Sequence, residues 1–181
     1  MRRAALASLT LPFSQLADQC QATGLTPENV VRIATVLSRS FGVHDDEVAI
    51  LKLDKTQLRF IYPPLLSNVG VIPLNNSNSL AARTANSKRP EVINNFAQMR
   101  HASIFESVPV ESKTRSLGKT ERNAIVIQKI MSVPVISPAG VIGVIQISRK
   151  GSTHKAAGAD FYPSELSRLA AAAAALAKCF N

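Results

Sequence analysis

The stretch that most limits what this chain can become runs from residue 127 to residue 150, IQKIMSVPVISPAGVIGVIQISRK. Two apolar runs, residues 125–136 and 141–147, flank Ser137-Pro138-Ala139-Gly140. Proline fixes φ near the value a turn needs and glycine accepts a positive φ, so the tetrapeptide predicts a tight connection. The second run is rich in β-branched residues (Val141, Ile142, Val144, Ile145, Ile147), which suit a pleated, packed surface. Neither run alternates cleanly, so the hairpin is expected in the interior of a sheet and covered on both faces. Pro134, Pro138, Gly140 and Gly143 argue against a buried helix.

The rest of the chain must supply the two covers. With 181 residues, one domain with a full core is the expectation. Residues 13–22 show helical spacing (Phe13, Leu16, Ala17, Cys20) and end at Thr23-Gly24. Thr26-Pro27-Glu28 then opens a second helix with an N-cap, a first-position proline and an acid suited to the dipole. Its apolar stripe is Val30, Ile33, Ala34, Leu37 and Phe41, closed by Gly42.

Residues 47–53 and 57–62 predict a hairpin, with Leu58, Phe60 and Tyr62 on one face of its second strand. Short strands are expected near 70–74 and 91–94, with a helix between them capped by Ser77 or Ser79. Residues 95–107 read as a short helix, and the polar, charged stretch 111–123 as a mobile loop. After the central hairpin, 151–159 reads as a flexible crossing into a last helix that starts near Pro163.

Charge is uneven along the chain. Residues 1–62 carry seven Lys/Arg against six Asp/Glu, whereas 83–178 carry fourteen against six. A basic half can attract polyanions, but no aromatic-rich basic strand and no helix-turn-helix pattern accompanies it, so nucleic-acid binding is disfavoured. No stretch approaches the roughly 20 apolar residues that span a bilayer, so no membrane partner is expected. Cys20 and Cys179 stand far apart in sequence, with neither zinc spacing nor a disulfide framework. A reducing cytoplasm is the natural compartment for such a pair. The two would approach only if the helices bearing them pack together.

In this order the elements resemble a GAF domain, the small-molecule sensor module of phosphodiesterases, phytochromes and bacterial signalling proteins. The resemblance covers about residues 26–180, leaving 1–25 as an N-terminal helical extension and 26–181 as the domain. It rests on EVAILKLD, on SLAARTANSKRPEVINN, on SVPVISPAGVIGVIQISRKG and on the closing DFYPSELSRLAAAAAALA. It implies an α+β fold, with a central antiparallel sheet of about five or six strands. The terminal helices lie on one face, and a ligand pocket opens on the other under the middle connection.

The resemblance also removes options. Cyclic-nucleotide-binding members carry Asn-Lys at the end of the hairpin and Phe-x-x-x-Asp-Glu at the last helix; here Arg149-Lys150 and Phe161 with Glu165-Leu166 stand there. Lys150 and Glu165 are expected to form the structural ion pair that staples hairpin to helix. Bilin attachment and methionine sulfoxide reduction both need cysteines at the pocket, and Cys20 and Cys179 lie on the wrong elements. His101 has no partner in the sequence that would complete a haem site. No cofactor and no metal site is therefore implied, the acidic triplet Asp45-Asp46-Glu47 reading as a solvated turn.

The candidate pocket draws polar groups from Asn94, Asn95, Arg100 and His101, able to hold a small anion or amide, and an apolar lining from Phe96, Phe105, Met131 and Val133. Leu166, Leu169, Ala173 and Leu176 step by three and four along the last helix. They are the expected seam of a homodimer built with helix 27–41. The expected function is that of a non-catalytic, cytoplasmic sensory or regulatory domain that binds a small molecule and signals through helix-mediated association. A ligand-free scaffold on the same fold is the alternative, and a small enzyme a more distant one.

Overall fold

The computed structural model describes residues 13–68, 70–99 and 125–180. Residues 1–12, 100–124 and 181, with Val69, lie outside the described set. So do the expected contributions of Arg100, His101 and Phe105 and the expected loop at 111–123.

The chain runs through helix α1 (residues 13–20), α2 (Pro27–Phe41), strands β1 (Val48–Asp54) and β2 (Gln57–Tyr62), and the single turn α3 (Pro64–Ser67). It continues through β3 (Val71–Pro73), α4 (Leu80–Ser87), β4 (Glu91–Ile93), β5 (Val126–Ser137), β6 (Gly140–Gly151) and α5 (Pro163–Leu176). Six strands form one antiparallel sheet in the order β3-β2-β1-β6-β5-β4. The expected α+β architecture holds. The hairpin β5–β6 is interior, with β6 flanked by β1 and β5 flanked by β4.

The local signals act as their chemistry dictates. The Thr26 side chain accepts a hydrogen bond from the Asn29 backbone N–H, Pro27 occupies the first turn, and Gly42 closes α2 at φ 61°. Ser79, of the two serines considered, caps α4 by accepting from the Ala82 N–H. Ser137 faces Gly140 across a two-residue turn, and Gly140 takes a φ of 128°.

Alternation then sorts side chains to the two faces. Val48 and Ile50 of β1, Ile145 and Ile147 of β6, and Met131, Val133 and Val135 of β5 pack with buried residues of α1, α2 and α5 in one apolar cluster. Leu51, Leu58, Phe60 and Val144 point the other way and pack against Ala81, Ala82 and Ala85 of α4. Leu80, Ile93, Phe96 and Ile130 form a separate small cluster on that second face. Phe13, Leu16, Ala17 and Cys20 place α1 within the same core as α2 and α5.

Three expectations need correction. A bulge between Ile50 and Leu51 lets Ile50 face Tyr62 and Leu51 face Phe60, so Tyr62 turns to the helix side while Leu58 and Phe60 stay on the other. Of the helix expected over 95–107, the described part is a 3-10 turn, Phe96–Gln98, followed by an extended Met99, and 100–107 lies outside the described residues. The proposed dimer seam is also spent within the chain: Leu169, Ala173 and Leu176 are fully buried against the sheet, and Leu166 is partly buried on the same core. A sheet with an apolar face offers that stripe a larger and nearer partner than a second chain does. α5 is further held to α2 by Arg168, whose guanidinium lies over the Phe41 ring and donates to the Ser40 carbonyl at 2.7 Å.

Candidate functional site

On the face away from α2 and α5, the Val/Ile ribbon is interrupted by Ser132 in β5 and by Gln146 and Ser148 in β6; Ser148 donates to the Glu47 carbonyl, which leaves Ser132 and Gln146. The two are register partners in the ladder, and Ala49 of β1 stands opposite Gln146 on its other side. α4 crosses above them because Ser79 starts it there and Leu80, Ala81, Ala82 and Ala85 give it an apolar underside. That geometry brings Thr84 down onto the ladder. Its hydroxyl donates to Ser132 Oγ at 2.8 Å, and Gln146 Nε2 donates to the same oxygen at 3.3 Å.

All three residues are buried, with Thr84 and Ser132 at 0% exposure and Gln146 at 3%. They separate the two apolar clusters of this face, one over β1 and β2 and the other by β4. Among the described residues their hydrogen-bonding capacity is not exhausted. Ser132 accepts twice and keeps its own O–H to donate, and no hydrogen bond to Gln146 Oε1 occurs among the described residues. A buried polar group left without a partner costs about 1–3 kcal/mol, so the trio is an expensive insertion into an otherwise apolar layer. It carries no formal charge. The nearest charged pair of α4 and β4 is Arg83 with Glu91, a bidentate contact at 2.6 and 3.0 Å that each residue satisfies in the other.

A second polar cluster fastens the crossing between β6 and α5. Lys129 is buried at 1% exposure, and its ammonium donates to the Gly158 carbonyl and pairs with Asp160 at 2.8 Å. That hydrogen bond, with Lys129, His154 and Arg149 as neighbouring positive charges, holds the Asp160 carboxyl below its ordinary range. His154 Nε2 lies 2.8 Å from the Asn94 carbonyl. Arg149 stacks on the Phe161 ring at 4.0 Å, donates to the Ala159 carbonyl, and pairs with Glu165 at 3.0 Å. The stretch expected to be a flexible crossing is therefore tied down by side chains on three sides.

Glu165 is accordingly paired with Arg149 and not with Lys150, which instead meets Asp46 at 2.9 Å. Successive residues of β6 project to opposite faces, so only one of the two cations can reach α5. The same logic removes Met131 and Val133 from the candidate pocket. They flank Ser132 and point to the helix side, where both are fully buried. Asn94 is also committed: its Nδ2 donates to the Phe161 carbonyl at 3.1 Å and its Oδ1 accepts from the Phe161 N–H at 2.9 Å. Asn95 is exposed. Phe96 alone of the described lining residues lies on the expected face, beside Leu80, Ile93 and Ile130.

Around the acidic triplet, Asp45 accepts from the Ser38 hydroxyl at 2.6 Å, and buried Glu47 accepts the backbone N–H groups of His44 and Lys150. No group of His, Cys, Asp or Glu able to hold a metal ion occurs among the described residues. No helix among them is long and apolar enough to cross a membrane. Helical spacing already turns Thr84 inward with Leu80 and Ala81, as the structure has it, whereas Ser132 and Gln146 were overlooked. The available signal was the parity of Ser132 and Gln146, each a polar residue at a position facing away from the helices.

No protein-family model matches the chain, and no curated protein matches it. Solved structures do. The GAF domain of an Acinetobacter phosphoenolpyruvate-protein phosphotransferase superposes with a TM-score of 0.62 at 13% identity, over 94% of this chain and 92% of that one. The nlh2 GAF domain of A. aeolicus, in an inactive state, gives 0.61 at 14% identity over 97% of each chain. Free methionine-R-sulfoxide reductase from Neisseria meningitidis, in complex with its substrate, gives 0.55 at 16% identity over 93% of this chain and 87% of that one. The chain has the GAF fold.

Proposed function

We propose that this GAF-fold chain is a non-catalytic sensory or regulatory domain that takes a small, uncharged polar ligand against Thr84, Ser132 and Gln146. One observation carries the reading: a buried trio with donor and acceptor capacity to spare among the described residues sits between two apolar clusters on the face where α4 covers the sheet. An apolar layer that bears a few convergent polar groups is the usual makeup of a small-molecule site. The trio has no acid, base or thiol, and both cysteines belong to the opposite face, which favours recognition over chemistry. Among the solved relatives of this fold, a reductase stands beside domains of signalling and phosphotransfer proteins, so the fold itself does not choose between the two.

The same strands offer a route out of the site. Ser132 lies between Met131 and Val133, and those two pack under the helices. A ligand that shifts β5 by its hold on Ser132 would bias how α5 sits, which is the differential contact that a switch requires. The test is a thermal-shift titration with free amino acids, nucleosides and short primary amides, repeated on a Ser132→Ala/Gln146→Leu variant. A ligand should raise the melting midpoint in a concentration-dependent way in the native chain and fail to do so in the variant. An unresponsive native chain, paired with a variant that melts lower, would make the trio purely structural and leave a scaffold role.

A further inference from the structure

Both cysteines are buried in one apolar cluster, although 158 residues separate them in sequence. Cys20 ends α1, and Cys179 lies in the 3-10 turn Ala177–Cys179 that follows α5. The Cys179 thiol donates toward the Ala17 carbonyl, one turn before Cys20, at a sulfur–oxygen distance of 3.7 Å. One residue later on α1 and one residue earlier in the C-terminal turn, Asp18 meets Lys178 at 2.8 Å, so the two segments lie against each other in a fixed register. Ala17 and Cys20 are one helical turn apart on the same side of α1, so the contact at Ala17 brings Cys179 alongside Cys20 in the buried cluster that holds both. Both thiols are free, and neither has any exposed surface.

From this juxtaposition we infer that Cys20 and Cys179 are an oxidation site, able to form a reversible disulfide that ties α1 to the turn after α5. In the closed state, burial and the neighbouring Cys20 push the Cys179 thiol up to about 11, so it is almost entirely protonated and slow to react. Reaction therefore needs an opening, and the opening segment is short. The 177–180 segment is held by its own side chains, chiefly the Phe180 ring, which packs so tightly on β6 that a Cβ added at Gly143 would lie 2.5 Å from it. When this segment lifts, Cys179 reaches water and regains ordinary acidity.

With a peroxide as oxidant, the Cys179 thiolate attacks one peroxide oxygen, the O–O bond breaks, hydroxide leaves, and a sulfenic acid remains on Cys179. On reclosure the Cys20 sulfur attacks the Cys179 sulfur. The S–O bond breaks, the Cys20 proton leaves with the hydroxyl as water, and an S–S bond joins the two residues. Overall two thiols and one hydrogen peroxide give one disulfide and two waters. A thiol reductant restores the starting state.

The full chain treated with hydrogen peroxide, then alkylated with iodoacetamide in denaturant, should appear by mass spectrometry as a monomer lighter by two hydrogens. It should carry no alkyl group, and digestion should yield the Cys20 and Cys179 peptides joined. Dithiothreitol should return the mass and both alkylation sites, and the oxidised chain should melt higher by at least about 5 °C. Cys20→Ser and Cys179→Ser should each abolish the linkage. Phe180→Ala, which frees the turn, should speed the oxidation several-fold. Two alkyl groups taken up after peroxide, oxygen adducts without a linked peptide, or linkage only between two chains would each overturn the assignment. An unchanged rate in Phe180→Ala would overturn the opening step.

Discussion

The two faces of the sheet are drawn from the same two long strands and are finished in opposite ways. On the helix side, Met131, Val133, Ile145 and Ile147 meet α1, α2 and α5 in one continuous apolar cluster. On the other side, the intervening residues Ile130, Ser132, Val144 and Gln146 meet α4, and the apolar layer is split in two by hydrogen-bonding groups. Removing water from apolar surface is worth roughly 25 cal/mol per Å², and a polar trio forgoes that gain where it sits. One face is thus committed to stability, while the other gives some stability up at a single place. The difference teaches that a buried layer can be read for function by asking where its chemistry departs from what packing alone would choose.

Substitutions can break this comparison. Leu169→Ala, in the middle of the helix-side cluster, should lower unfolding free energy by about 3 kcal/mol in urea denaturation, since it removes a fully buried side chain and leaves a cavity. The combined change Thr84→Val, Ser132→Ala and Gln146→Leu should by contrast leave stability within about 1 kcal/mol of the native value, because whole hydrogen-bonded groups are exchanged for apolar ones. A loss as large as that of Leu169→Ala would mean that the two faces do not differ in kind. Gly143→Ala comes next, at about 2 kcal/mol, because its Cβ would lie 2.5 Å from both the Leu51 carbonyl oxygen and the Phe180 ring. Adding Phe180→Ala to it should recover only part of the loss, since the Leu51 backbone stays in place.

A smaller effect separates the members of the trio. Thr84→Val alone should cost about 1 kcal/mol, as it deletes one donor to Ser132 while Gln146 still donates. The smallest concerns acid. Asp160 has a lowered carboxyl pKa when folded, so its contribution is present above its ordinary value of 3.8 and is lost as pH falls through the lower folded value. In acid titrations followed by circular dichroism, Lys129→Met should remove that increment of acid sensitivity and leave the neutral-pH fold intact.

Much of this was legible from residue types, and the failures have physical causes. The Pro-Ala bend with its β-branched flanks located the hairpin, because turn chemistry and branching are local properties. The Thr26 and Ser79 caps were equally local. Face assignment was less secure: Met131 and Val133 were placed one residue out of phase with Ser132, and a period-two pattern punishes such a slip by reversing every side chain. Tyr62 went to the wrong side because a bulge adds a residue that composition does not announce. The choice of Lys150 over Arg149 for Glu165 was again a matter of parity. The placing of Cys20 and Cys179 in one buried cluster depended on helix docking over 158 intervening residues, which no local pattern encodes.

The Lys129 ammonium has a consequence beyond the contacts it makes. It stands at the margin of the helix-covered face, and closing any chain segment over it strips its water. Only a segment that delivers a carbonyl and a carboxylate at that spot, as Gly158 and Asp160 do, avoids stranding a bare cation. The lysine therefore acts as an address on the sheet. A mis-threaded loop, or another chain's apolar ribbon laid across this rim, is turned away by the cost of an unanswered charge.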